Sequence, residues 1–110
     1  MKLSVKFRPK ATRDVLDEML YLEEQANKQT ALRFYDAVKT TCGLIAERPL
    51  IGKRFQLQIG LGEEVRWIAA GGAFSKFLVF YQVTQSGIDV VRVLHGSRNI
   101  RALLDAEPDE

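Results

Sequence analysis

Leu3, Val5 and Phe7 alternate with Ser4, Lys6 and Arg8, the period-two pattern of a half-buried strand, and Pro9 ends it. From Lys10 the period changes. Ala11, Val15, Met19, Leu22 and Ala26 fall three or four apart, with Leu16 and Leu20 widening the stripe, which predicts an amphipathic helix. The spacing resumes at Ala31, Phe34, Tyr35, Val38, Cys42 and Ile45 and predicts a second helix that Pro49 stops. Asn27, beside polar Lys28, Gln29 and Thr30, either ends the first helix in the left-handed conformation or caps the second. An antiparallel helical hairpin follows. Gly43 lies inside the second helix, where glycine costs about 1 kcal/mol relative to alanine, and close helix packing is the expected compensation.

Gly52, Gly60 and Gly62 punctuate a stretch that reads as an irregular crossing, after which Val65, Trp67 and Ala69 alternate with Arg66 and Ile68 as a strand. Gly71-Gly72 marks the next turn. Lys76 to Val83 is dominated by aromatic and β-branched residues, Ser86-Gly87 supplies a turn, and Ile88 to His95 is rich in valine, so a hairpin of two central strands is predicted. Beyond Gly96, Ser97 is a candidate cap for a short helix with Ile100, Leu103 and Leu104 on one face. The fold class is α+β: an N-terminal strand, a two-helix hairpin, a mainly antiparallel three-strand stretch completing a small curved sheet, and a short C-terminal helix. On this reading the helices cover one face of the sheet and leave the opposite face free to bind.

The chain has 110 residues, 46% of them apolar and 27% charged, enough for one core and one domain over residues 1–110. Asp105, Glu107, Asp109 and Glu110 make residues 105–110 a frayed acidic tail. The longest apolar runs, such as Phe77 to Tyr81, fall far short of the roughly 20 residues of a membrane span. No membrane partner is expected. The first residues are charged again before a signal-peptide apolar region forms, which predicts a cytoplasmic protein. One cysteine and one histidine exclude a disulfide scaffold and an ordinary structural zinc site, and no glycine-rich phosphate loop or His/Cys metal motif is present. Neither cofactor nor metal is expected.

Charge is uneven along the chain. Residues 48–101 carry eight Lys/Arg against three Asp/Glu, a net +5, and so are the first candidate for meeting a polyanion. The basic set is Arg66, Lys76, Arg92, Arg98 and Arg101, with Lys53 and Arg54 on the preceding crossing. Strict alternation would place Arg92 with Ile88, Val90 and Leu94, and Val91 with Val93 on the other face. An arginine on so apolar a strand needs a carboxylate, backbone carbonyls or a wet concave surface. It is either a paired arginine at the sheet's end or a phosphate-binding fork. His95 is a candidate general acid or base, imidazole being the side chain suited to proton transfer near neutral pH, or a strand-end residue bonded to the next turn. Cys42 and most of Trp67, Phe74, Phe77, Phe80 and Tyr81 read as core.

Taken together, the strand-helix-helix start, Ala11-x-x-Asp14, Pro49-x-x-Gly52, Phe77-Leu78-Val79-Phe80-Tyr81 and Arg92-Val93-Leu94-His95-Gly96-x-Arg98-Asn99 resemble the RelE/ParE toxin superfamily over nearly the entire chain. The His-Gly-x-Arg-Asn ending resembles the ParE branch. The resemblance implies a type II toxin, involved in plasmid or chromosome stabilisation and encoded beside a ParD-like or other adjacent antitoxin that wraps around it. ParE-type members poison DNA gyrase, whereas RelE-type members are ribosome-dependent endoribonucleases that cut mRNA.

RelE-like nucleases carry an arginine in the segment aligned with Phe77-Leu78-Val79 and often a tyrosine near the carboxyl terminus. This chain has Leu78 and no tyrosine after Tyr81. RNA cleavage needs groups that activate the 2′-hydroxyl, steady the phosphate charge and protonate the leaving oxygen, and only Arg66, His95 and Arg98 are candidates. The resemblance therefore favours a gyrase poison that stabilises cleaved DNA without covalent chemistry of its own. A ribosome-dependent nuclease or a silent antitoxin-binding relative is the alternative. Arg66, Lys76, Arg92, His95, Arg98 and Arg101 make up the expected target-recognition surface. The expected antitoxin surface is the sheet edge and a helical groove exposing parts of Leu16, Leu20 and Phe34 to a disordered acidic-apolar peptide.

Overall fold

The computed structural model describes residues 2–55 and 64–105, so Gly60 and Gly62 of the crossing and all but the first residue of the acidic tail lie outside the described residues. Strand β1 spans Val5–Phe7, helices α1 and α2 span Pro9–Gln25 and Lys28–Glu47, and strands β2 to β5 span Lys53–Phe55, Val65–Ala69, Phe77–Thr84 and Gly87–His95. Helix α3 covers Ile100–Asp105. The α+β class and element order follow the hydrophobic pattern, with one addition. Lys53–Phe55 is a strand rather than part of an irregular crossing, because it pairs antiparallel with Val65–Trp67. Three residues among glycines carry too little periodicity to show this.

The sheet order is β1-β5-β4-β3-β2, with β1 parallel to β5 and every other pair antiparallel. Gly87 opens β5 at φ +136°, where a Cβ would collide with the Ser4 carbonyl that accepts from Ile88 N at 2.8 Å. Only glycine fits that junction. Arg8, between β1 and α1, ties the parallel edge together: its N–H bonds to Val90 O, and its guanidinium reaches Gln82 Oε1 at 2.6 Å and Asp89 at 3.6 Å.

Asn27 is the N-cap of α2, its Oδ1 accepting from Thr30 N at 2.7 Å, so it starts the second helix and the hairpin forms as expected. The buried stripes of the hairpin, Ala11 and Val15 with Phe34, Val38, Cys42 and Ile45, meet Val79, Tyr81, Ile88, Val90 and Val93 of the sheet. Burial pushes the Cys42 thiol up to about 11, as expected of a thiol packed as a small hydrophobe. Phe34 is fully buried and edge-packed on Phe74 and Phe77, which corrects its placement in an exposed helical groove. It lies at the centre of its helix's apolar stripe, facing the sheet.

The opposite sheet face is also covered. Val65, Phe80, Val91 and Leu94 form a second core closed by the fully buried Leu104 of α3, with Ile100 and Leu103 around it. Six residues suffice because Asn99 caps α3, accepting from Ala102 N through Oδ1 and from Leu103 N through its carbonyl. Asn99 takes the capping role assigned to Ser97. The N–H of Ser97 bonds instead to His95 Nδ1 at 3.0 Å.

Strict alternation fails in β5. Tyr81 pairs with Val90 and Phe80 with Arg92, so Val91 is the extra residue of a β-bulge. The bulge flips the parity: Val90 and Val93 share the helix-facing core, while Val91 and Leu94 share the other. Leu94 is therefore not on the face of Ile88 and Val90.

Two substitutions test this packing. A Cβ at Gly43 meets nothing within 4 Å, so close packing does not explain the glycine, and Gly43→Ala raises stability by about 0.5–1 kcal/mol in urea unfolding. Leu104→Ala lowers it by about 2–4 kcal/mol, the cost of a core cavity, whereas a frayed terminal helix would give under about 0.5 kcal/mol.

Candidate functional site

The basic residues of the second half divide into those held within the fold and those on its surface. Arg66 faces Tyr81 across the β3–β4 ladder, and the two side chains hold the segment that follows α2. Arg66 Nη1 donates to Gly52 O at 2.8 Å and Leu50 O at 3.2 Å, while Nη2 reaches Glu64 Oε1 at 3.4 Å. Tyr81 donates its hydroxyl proton to Pro49 O at 2.7 Å and accepts from Gly52 N at 2.9 Å. A Cβ at Gly52 would lie 2.7 Å from that hydroxyl. The spacing Pro49-x-x-Gly52 thus matches one phenol. Burial raises the Tyr81 hydroxyl above its ordinary pKa, against the lowering pull of the Gly52 N–H and the Arg66 charge.

Arg92 is held as tightly. Its Nε and Nη2 grip Asp14 Oδ2 and Oδ1 of α1 at 2.8 and 2.9 Å, the side chains being 11% and 12% exposed. Asp14 Oδ2 also accepts from Val93 N at 3.0 Å. Of the two readings of Arg92 open from the sequence, the geometry is that of the paired arginine.

Lys76, His95 and Arg98 come together at one end of the sheet. Gly96 N donates to Lys76 O at 2.8 Å, and Arg98 N donates to His95 O at 3.0 Å. The His95 ring meets Phe77 edge-on at 5.0 Å. Because Nδ1 accepts from Ser97 N, the neutral ring carries its proton on Nε2. Glu18 of α1 lies within electrostatic reach of this ring. Burial raises the Glu18 carboxyl above its ordinary pKa, and His95 pulls it back down. Arg101 sits elsewhere, its guanidinium 5.4 Å from the centre of the Phe55 ring.

The three candidate catalytic groups are not assembled. Arg66 is level with Tyr81 and His95 with Phe77, four residues or about 13 Å along the strand, and the two lie two strands or about 10 Å apart across the sheet.

Sequence reasoning missed Lys10 and Arg13. They line a cleft of about 400 Å³ with Pro9, Asp14, Asp17, Arg92 and Arg98. Positions 10, 13, 14 and 17 follow the i, i+3, i+4, i+7 rule for one side of a helix, but their meeting with Arg98 is tertiary. Farther along α1, Leu16, Leu20 and Tyr21 are 54%, 64% and 57% exposed, and Asp17, Glu23 and Glu24 flank the latter two. Leu32 and Tyr35 of α2 are also exposed. Among the described residues no helix is long and apolar enough to cross a membrane.

Comparison with known proteins agrees with this architecture. A family model described as the ParE toxin of the type II toxin-antitoxin system parDE matches residues 5–100. No curated protein sequence gives a significant match. A solved structure titled "Chromosomal ParDE TA system from P. aeruginosa" superposes with a TM-score of 0.69 at 14% identity, covering 86% of this chain and 96% of that one, a likeness of fold. The family model spans the buried residues of the helix-facing core, the Asp14–Arg92 pair and the Tyr81 clamp, and the chain belongs to the ParE toxin family of type II toxin-antitoxin systems.

Proposed function

We propose that this ParE-family chain inhibits DNA gyrase by stabilising the enzyme's cleaved DNA complex, in the cytoplasm, and that a cognate antitoxin neutralises it. The observation that carries this reading is the scattering of the groups a nuclease would need. Arg66 is engaged by the Gly52 and Leu50 carbonyls far from His95, and Leu78 stands where RelE-like nucleases carry arginine. Such an arrangement favours recognition over cleavage. The surface offered for recognition is the sheet end with Lys76, His95 and Arg98, while Arg66 and Arg92 hold the scaffold behind it and Arg101 lies apart, over the Phe55 ring.

The antitoxin surface is the exposed apolar face of the hairpin. Leu16 and Leu20 are one helical turn apart on α1, the spacing that anchors a partner helix. Helix α1 carries five acidic residues against two basic ones. A docking antitoxin segment therefore needs apolar anchors flanked by Lys or Arg, rather than the acidic-apolar peptide expected from the sequence.

Cleavage assays with purified gyrase test the proposal. The wild-type chain is expected to accumulate cleaved DNA, and antitoxin to relieve it. Arg98→Ala lowers the cleaved fraction at least about tenfold at unchanged urea midpoint, as for an interfacial arginine hot spot. Leu16→Glu/Leu20→Glu keeps gyrase inhibition but escapes the antitoxin. Gyrase left untouched while translated mRNA is cut would replace this reading with the ribonuclease.

A further inference from the structure

His95 holds the turn that carries Arg98 with two of its own atoms. Its carbonyl accepts from Arg98 N at 3.0 Å, and its Nδ1 accepts from Ser97 N at 3.0 Å. Gly96 N adds a bond to Lys76 O at 2.8 Å, and Asn99 then caps α3. Residues 96–99 are all exposed, so hydrogen bonds rather than packing set where Arg98 stands. A side-chain acceptor bonded to the N–H two residues on is the geometry of an Asx turn, normally made by the Oδ1 of Asn or Asp. Here an imidazole makes it.

The substitution changes what the turn responds to. An Asn Oδ1 accepts at any pH, whereas Nδ1 accepts only while it carries no proton, because both nitrogens of an imidazolium are donors. Once the ring takes a second proton, Nδ1–H and Ser97 N–H point at each other and the bond is lost. The ring is half-buried and packed edge-on against Phe77, its partner in the β4–β5 register, which holds Nδ1 on the turn. Charged groups face it from each neighbouring element: Glu18 from α1, Lys76 from the start of β4 and Arg98 from its own turn. Glu18 follows Asp14 by one helical turn as His95 follows Val93 by two residues of strand, so α1 sets one carboxylate at each level of β5.

We infer that His95 is the positioning residue of Arg98: its neutral imidazole locks the turn at residues 96–98, and protonation of Nδ1 releases that turn and takes Arg98 out of its binding position. The inference rests on reading this sheet end as the target-recognition surface. Recognition through Arg98 therefore weakens on acidification, even though the protonated ring adds a positive charge to a basic surface. That sign separates two roles for the histidine. A contact residue that gains charge binds a polyanionic partner more tightly as the pH falls, and a positioning residue that lets go binds it less tightly.

The test begins on the free full chain, nitrogen-labelled and followed by NMR from about pH 8.5 to 5, a range that spans the ordinary titration of imidazole. The ring nitrogens are expected to show a bare Nδ1 at the high end. Protection of the Ser97 amide from exchange is expected to fall about fivefold in step with ring protonation, the loss of one hydrogen bond. His95→Asn is expected to keep that protection at every pH, and His95→Phe, which keeps a ring on Phe77 without the acceptor, to lack it at every pH, both checked for fold by circular dichroism. The wild-type titration needs no substitution, so it decides even where a variant misfolds. In the gyrase cleavage assay, the cleaved fraction with wild type is expected to fall about threefold further than with His95→Asn between about pH 8 and 6, a comparison that removes gyrase's own pH response. Glu18→Gln is expected to keep the wild-type fall. The inference is overturned if Ser97 protection ignores ring protonation, if the neutral ring carries its proton on Nδ1, or if His95→Phe protects Ser97 as His95→Asn does. It is also overturned if wild-type cleavage tracks or exceeds that of His95→Asn on acidification, or if Glu18→Gln abolishes the fall. Gyrase untouched at every pH removes the gyrase reading instead, and the Ser97 amide of the free chain still decides whether His95 locks the turn.

Discussion

One carboxylate joins the helical layer to the sheet. Asp14 accepts three hydrogen bonds, two from the Arg92 fork and one from the Val93 backbone, and all three donors lie on β5 just beyond its parallel pairing with β1. That pairing ends at Val90, after which the chain of β1 turns into α1 at Pro9. The edge of β5 from Val91 onward would otherwise present unpaired backbone donors at a bulge, which is costly in a partly buried place. A helix-borne carboxylate satisfies the strand and neutralises the arginine in one contact. Removing either partner leaves the other charge in surroundings too dry to hold it cheaply.

The rest of the molecule is arranged around that joint. With α1 fixed over β5, Ala11 and Val15 close the first core and Glu18 reaches the vicinity of His95. The second clamp, Tyr81 with Arg66, fixes the segment between α2 and β2, so each of two central strands carries one polar tether to the helical side. The end of the sheet past these tethers presents Lys76 and Arg98 on short turns and His95 at the end of β5. The surfaces also differ in charge: the outer half of α1 is acidic and apolar, while its first turns and the turn at Arg98 are basic.

The motifs legible in the sequence prove to be mostly scaffold, with Arg98 an exposed exception. Ala11-x-x-Asp14 is a core residue and the joint, Pro49-x-x-Gly52 is the two ends of the Tyr81 clamp, and the His-Gly-x-Arg-Asn run is a strand end, a turn and a helix cap. Hydrophobic period located both helices, the central hairpin and most of the core because burial imposes it directly. It failed where a single inserted residue shifts parity, at Val91, and where an element is too short to show a period, at Lys53–Phe55. It also mistook a covered sheet face for a free one, since six residues of α3 do not announce how much they cover. The basic cleft was invisible for another reason: Arg13 and Arg98 lie far apart in sequence, and it is the packing of α1 on β5, with the Asp14–Arg92 pair, that brings their elements together.

The most direct test of this account is the coupling energy between Asp14 and Arg92, measured by urea unfolding of Asp14→Asn, Arg92→Met and the double variant. A bidentate pair this dry is predicted to couple by more than about 1.5 kcal/mol, with the double variant more stable than the sum of the single losses implies. Coupling below about 0.5 kcal/mol, the value of an ordinary exposed ion pair, would contradict the claim that this contact organises the fold.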